Sequence, residues 1–237
     1  MTIETALLQL LEQFKNDQCT DQVKDHLRAQ IKSASSDLTQ NPRDETNGNR
    51  MFLNAMVALA LGTAEQLYGA GDDTSFDPFP RFWSHPNSQI MPLIGDDGAV
   101  VIAIGTFAVS WEEVFYDICH ESLHLLNPVT NVRSSNVKVS ALEEGVAVKF
   151  AEQIYEKYIS SYCDKIPTTS PIKAFHTQYF QAYSAAKMIP DTTLKEVRNV
   201  FVRFSKIDDP DKFKHLTRDY LSDMEAEILL APFKYLR

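Results

Sequence analysis

Apolar residues recur at helical spacing over residues 3–16 and again over residues 21–38, where Asp21 stands in capping position. The polar stretch that follows, Thr39 to Asn49, carries Pro42, Asn47, Gly48 and Asn49 and has the composition of a linker or mobile loop. A third helix is expected from about Arg50 to Tyr68. Between Gly69 and Asn87 the chain is rich in Gly, Asp, Pro and aromatics, which predicts an irregular segment pinned by Phe76, Phe79, Phe82 and Trp83. One segment carries a strand signal: in QIMPLIGDDGAVVIAIG two β-type runs flank Gly95-Asp96-Asp97-Gly98, a hairpin turn composition, and Pro92 puts the first run at a sheet edge.

Beyond the hairpin the pattern returns to helix. Ser110 in SWEE and Ser140 in SALE each open a capping box, with Glu113 and Glu143 reaching back to the chain start. Ser170 with Pro171, Asp191, Asp209 with Pro210, and Ser222 with Glu225 open four further helices. The fold class is therefore α+β, predominantly helical with a small sheet. Residues 1–48 form N-terminal helices that pack on a main domain, 49–237.

Composition narrows the class of function. With 44% hydrophobic and 23% charged residues over 237 positions, the chain is an ordinary globular protein. Its 8 Gly leave little material for a glycine-rich nucleotide loop. Lys and Arg total 23 against 32 Asp and Glu, and a net charge of −9 opposes nucleic-acid binding. Cys19, Cys119 and Cys163 are odd in number and have no CxxC spacing, which suits a reducing compartment. MTIETALLQLLEQF has no basic n-region, and the apolar stretch from Met51 to Ala60 is broken by Asn54 and too short for a bilayer. These features predict a soluble cytoplasmic protein, or one exported without a signal peptide, with no membrane partner; they leave the oligomeric state open.

The chemistry centres on His120-Glu121-Ser122-Leu123-His124, an HExxH. Histidines at i and i+4 of a helix share a face one turn apart, so both imidazoles reach one zinc ion while the adjacent Glu can polarise water. At about 100° per residue, Trp111, Val114, Phe115, Ile118, Ser122, Leu125 and Leu126 fall on one side. His120 and His124 fall opposite them, with Glu113 and Asp117, and so face something other than the apolar core. Metzincins need a glycine and a third histidine three and six residues after the second His; Asn127 and Thr130 stand there, which excludes that family.

A third ligand is offered by Glu144, 20 residues after His124 in ALEEGVAVKFAEQIYEKY. Its helix face carries Ala141, Ala147, Val148, Ala151, Tyr155 and Tyr158, whereas Lys149, Gln153, Glu156 and Lys157 lie on the other. A carboxylate in an apolar, small-residue face is costly unless paired or bound to metal. Glu143, by contrast, is accounted for by the capping box of Ser140.

HESLH followed by a Glu in an LEEGVA helix, at thermolysin-like spacing, resembles the gluzincin group of zinc metallopeptidases over about residues 110 to 155. The resemblance implies a minimal zincin-like domain that hydrolyses a peptide or protein substrate with one Zn2+. His120, His124 and Glu144 would be ligands and Glu121 the general base that takes a proton from zinc-activated water. It also implies that residues 99 to 105, before the active helix, pair with extended substrate. Two family features are missing. Val148 stands where an Asp would orient a histidine, for which Asp117 is a candidate substitute, and no oxyanion donor is fixed by spacing. The helix expected after Ser170 gathers Ile172, Phe175, His176, Tyr179, Phe180 and Tyr183 on one face, so His176, Tyr179 and Tyr183 are candidate donors, as are Tyr155, His215 and Tyr220.

The alternative is a catalytically silent zinc-binding interaction or regulatory protein that retains a metallopeptidase fold. Glu121 argues for the enzyme, because a structural zinc needs no base and prefers four protein ligands, often cysteines.

Overall fold

Three helices open the chain: α1 (Ile3–Glu12), α2 (Asp21–Ala34) and α3 (Asn47–Tyr68). A computed structural model describes residues 2–14, 19–93, 95, 98–128, 139–161, 167, 170–173 and 177–234. Each of the three begins at a threonine whose hydroxyl accepts an early helix amide, Thr2, Thr20 and Thr46. The cap of α2 is thus Thr20, and Asp21 is the first helical residue.

The polar stretch before α3 is not a loose linker. The buried Asn49 amide donates to Thr39 Oγ1 and to the carbonyls of Asn41 and Asp44, while its carbonyl accepts from the Thr39 amide. Gly48 lets this stretch close on the end of α2, because a Cβ there would lie 2.6 Å from the Asp37 backbone. One buried cluster then runs from Leu7 and Ile31 through Phe52 and Met56 to residues of every later helix, so α1 and α2 share the core of the rest.

Three strands follow, β1 (Phe76–Phe82), β2 (Gln89–Pro92) and β3 (Val100–Ile104), in the spatial order β1-β3-β2. β2 and β3 are the expected antiparallel hairpin, with Gly95 and Gly98 at positive φ and β2 at an edge. β1 replaces the irregular segment expected there. It pairs parallel with β3, and the register shifts between Asp77 and Arg81, where Pro78 and Pro80 sit. Prolines confined to a shifted edge strand remove no necessary ladder bond, but they erase the strand signal from the sequence. β3 therefore has both its edges occupied, and pairing of residues 99 to 105 with a substrate peptide is overturned.

The remaining helices are α4 (Trp111–His124), α5 (Ala141–Tyr158), α6 (Gln178–Met188), α7 (Asp191–Phe201), α8 (Pro210–Thr217) and α9 (Asp223–Leu230). The molecule is mostly helical with a small mixed sheet, an α+β arrangement. No helix among the described residues is long and apolar enough to cross a membrane. The boxes at Ser110 and Ser222 form as expected, and Asp209 caps α8 ahead of Pro210.

Four local expectations fail. Among the described residues a short 3-10 turn, Pro171–Lys173, follows Ser170 where a helix is expected, and α6 starts at Gln178 under a Thr177 cap. α7 has no side-chain cap, because Pro190 holds the N-cap position; Asp191, its first residue, accepts from the Tyr68 hydroxyl and Lys149. Lys149 is not on a solvent face: it is buried, its Nζ 2.6 Å from both Ile189 O and Asp191 Oδ1. α5 is covered on all sides from Ala141 to Ala151, so helical phase could not sort its faces into wet and dry. Glu143, finally, leaves the box at Ser140 half-made and turns towards His124.

Candidate metal centre

α4 is fixed at its start by Trp111, whose ring meets Phe52 of α3 edge-on at 5.1 Å and whose indole N–H donates to Thr39 O at 2.8 Å. Its end is fixed by Arg198 of α7, which donates to Leu126 O and to Asn127 Oδ1. Between these points His120 and His124 project towards α5. α5 in turn is approached closely by α6 at Gly145, where a Cβ would lie 2.5 Å from the Ala182 carbonyl oxygen. This glycine of the LEEGVA segment lets α6 carry Tyr179 towards the histidines.

Three expected ligands converge. His120 Nε2 and His124 Nε2 are 3.3 Å apart, and the Glu144 carboxylate oxygens lie 3.4 Å from the first and 3.7 Å from the second. Two donors each about 2.1 Å from one ion at tetrahedral angles stand about 3.4 Å apart, so the donor set fits a single ion of zinc's coordination radius. These three residues are the group of His, Cys, Asp and Glu among the described residues that could hold a metal. Glu144 is 1% exposed, a burial that requires compensation by a cation or by strong hydrogen bonds.

The orientation partner missing from the sequence is Glu143. Its Oε1 lies 3.6 Å from His124 Nδ1, the nitrogen that faces away from Glu144, where a carboxylate fixes the ring and raises its basicity. Burial alone would lower the His124 pKa, but Glu144, Glu143 and Glu121 outweigh it and raise the imidazole to about 10. A site that holds a proton this firmly without metal is one whose negative charge favours a cation.

Glu121, the expected base, is buried beside the ligands. Burial pushes its carboxyl pKa up, the two histidines oppose that, and Glu144 and Asp117 reinforce it. Asp117, the candidate histidine partner, accepts from Ser88 Oγ at 2.5 Å and forms part of a cleft wall. That cleft, of about 450 Å³, brings together Asn87, Ser88, Tyr116, Asp117, His120 and Glu121, with Ser170, Thr177 and Tyr179 facing them. Larger cavities lie between the start of α3 and β1, and between α1 and α5, but neither contains a histidine.

Of the candidate donors, Tyr179 reaches the centre, its ring 6.5 Å from that of His120. Burial, followed by the charges of Glu144 and Glu121, holds its hydroxyl well above the ordinary pKa, so it remains a neutral donor. Tyr155 is buried on α5 and packs edge-on against Tyr116 at 6.0 Å. Tyr183 lies under the Lys187 ammonium. His215 and Tyr220 are exposed on and after α8. His176 lies outside the described residues. Cys119 is buried, with its thiol pKa pushed well up by that burial, as expected of a small apolar core residue; Cys19 is also buried.

Sequence reasoning missed the cleft walls Tyr116, Ser88 and Ser170. Tyr116 could have been found one turn before His120 on the same face, whereas Ser88 and Ser170 carry no local signal. No family model, no curated protein and no solved structure matches this chain.

Proposed function

We propose that this chain is a zinc-dependent peptidase of gluzincin type, with a zincin-like arrangement of α4 and α5 around one metal ion. The observation that carries the proposal is the convergence of His120 Nε2, His124 Nε2 and the Glu144 carboxylate, with Glu121 beside them on an open cleft. Three protein ligands leave a coordination position open, the mark of catalytic rather than structural zinc.

His120, His124 and Glu144 would hold the ion, with Glu143 fixing the His124 ring. Zinc bound there supplies Lewis acidity towards a carbonyl and lowers the pKa of water. Glu121, its carboxyl pKa raised by burial, accepts a proton from the attacking water and returns it to the leaving amine. Tyr179, kept neutral, donates its hydroxyl proton as a hydrogen bond to the developing oxyanion.

The test is metal analysis of the full chain together with cleavage of a mixed peptide library by wild type and Glu121→Gln. Near-stoichiometric zinc in both proteins, with cleavage lost by a factor of about 10² to 10⁴ in the variant, supports the enzyme. Zinc in both and cleavage by neither would make it the silent zinc-binding protein. A wild type without zinc, indifferent to His120→Ala, would sink both readings.

A further inference from the structure

The cleft beside the centre is lopsided in its hydrogen bonding. Tyr116 and Ser170 each donate a hydroxyl proton to Glu152 Oε1, both at 2.5 Å. Ser88 donates its proton to Asp117 Oδ2 at 2.5 Å while accepting from the Gly105 amide. Ser170 also accepts from the Ile172 amide. A hydroxyl has one proton and two lone-pair directions, so with their protons committed these side chains offer an entering group only the lone pairs that remain. Asp117 and Glu121 add two carboxylates, and no Lys or Arg stands among the described lining residues. The donor groups in the described lining are the Asn87 amide, the Thr177 and Tyr179 hydroxyls and the His120 imidazole, Tyr179 lying beside His120, so acceptors and carboxylates still dominate the wall around Asp117.

The sides between these acceptors are apolar, from Phe107, Val148 and Pro171. Such a lining matches one kind of substrate side chain: an apolar stem ending in a cation rich in N–H donors. A carboxylate would meet like charge and lone pairs, and a purely apolar chain would strip water from acceptors and give nothing back. We propose that the cleft receives a lysine or arginine side chain of the substrate, next to the scissile bond, with Asp117 as its charge partner. The placement next to a scissile bond rests on the peptidase reading; the binding of the cation does not.

The probe is butylguanidinium, with pentanoate and pentanol as anionic and neutral counterparts, titrated calorimetrically into the full chain with and without saturating zinc. Butylguanidinium should bind at least about tenfold more tightly than either counterpart, and Asp117→Asn should remove most of that margin. Equal binding of pentanoate or pentanol, no binding of the guanidinium, or a margin unchanged in Asp117→Asn would overturn the proposal. Should that variant not fold, Ser170→Ala, which deletes an acceptor oxygen, must weaken the guanidinium about threefold or more. Cleavage profiling separates the two readings. A chain that binds the guanidinium and cleaves nothing keeps this inference and loses the peptidase, whereas cleavage that favours acidic or apolar side chains at every position keeps the peptidase and ends the inference.

Discussion

Arg198 and His124 are both cationic groups withdrawn from water near the C-terminal end of α4, yet their surroundings differ in kind. The Arg198 guanidinium donates to the carbonyls of Tyr68, Gly69, Ala70 and Leu126 and to Asn127 Oδ1, so each face of its fork meets an acceptor already held in place. His124 and His120 are instead surrounded by Glu121, Glu143 and Glu144, three carboxylates for two imidazoles. The first region is closed: neutral oxygens meet the N–H donors of the fork, and burial lowers the guanidinium pKa against the pull of Asp72 and Glu65. The second carries an excess of negative charge and opens on a cleft. Buried charge that is complete holds a fold together, and buried charge that is incomplete is a place for something else.

The sharpest way to break this contrast is to remove a ligand. His124→Ala or Glu144→Gln should lower zinc affinity by about a thousandfold or more, since each of three ligands carries several kcal/mol of the binding. In metal-free protein Glu144→Gln should leave the urea midpoint unchanged or raise it, because it relieves crowded carboxylates, whereas His124→Ala should lower it, because it removes the cation that Glu144, Glu143 and Glu121 face. Competition against a zinc-sensitive dye gives the first number and urea titration in chelator the second. A large loss of metal-free stability in Glu144→Gln would place the centre with the closed region.

Arg198→Met is the converse. It strands carbonyls that bridge α3, α4 and α7 and should cost about 3–5 kcal/mol of stability in metal-free protein. Urea unfolding checks this, and a loss below about 1 kcal/mol would show that those carbonyls find water instead. Zinc affinity, measured on the fraction that remains folded, should change far less than in the ligand variants.

Glu143→Gln sharpens the comparison within the centre itself. The side chain touches His124 on the nitrogen remote from the other ligands, so it orients and polarises without ligating. Zinc affinity should fall by about 10- to 100-fold, short of the loss from removing a ligand. A loss as large as that of Glu144→Gln would mean that the two glutamates share the ligand role.

How much of this was legible follows from which interactions are local. The HExxH face could be read because i, i+4 geometry is a property of one segment; Glu144 was picked by a helical phase that α5 does not have, being covered on every side, and its place beside the histidines comes from the packing of α5 on α4. Glu143 was misassigned for the same reason: the capping box is a local rule, and a contact with His124, 19 residues earlier, overrode it. Lys149 defeated the amphipathic reading because α5 is covered on every side, so its polar residues mark buried partners instead of solvent. β1 was hidden by Pro78 and Pro80, and its parallel pairing made β3 a central strand, which no pattern within residues 99–105 could announce. Arg198 had no signal at all, because its acceptors are main-chain carbonyls contributed by other elements.

Glu152 shares features of both regions and supplies the smallest test. It accepts from Tyr116 and Ser170 on the cleft wall, yet burial, aided by Glu156, raises its carboxyl pKa in spite of those hydroxyls and Lys187. A carboxyl whose folded pKa exceeds the unfolded value binds its proton more tightly when folded. Its contribution to stability is full below the unfolded value of 4.5 and is lost as pH rises through the folded value. Glu152→Gln keeps an oxygen that can accept both hydroxyl bonds and carries no charge to titrate. Between pH about 4 and 7 the urea midpoint of wild type, relative to that of the glutamine variant, should therefore fall slightly as pH rises. A difference that stays flat would mean that the two hydroxyls compensate the buried charge fully, placing Glu152 in the closed class with Arg198. A difference that grows in favour of wild type would mean that the carboxylate is held by more than it loses to burial, and the lone pairs assigned to the cleft wall would then be stronger acceptors still.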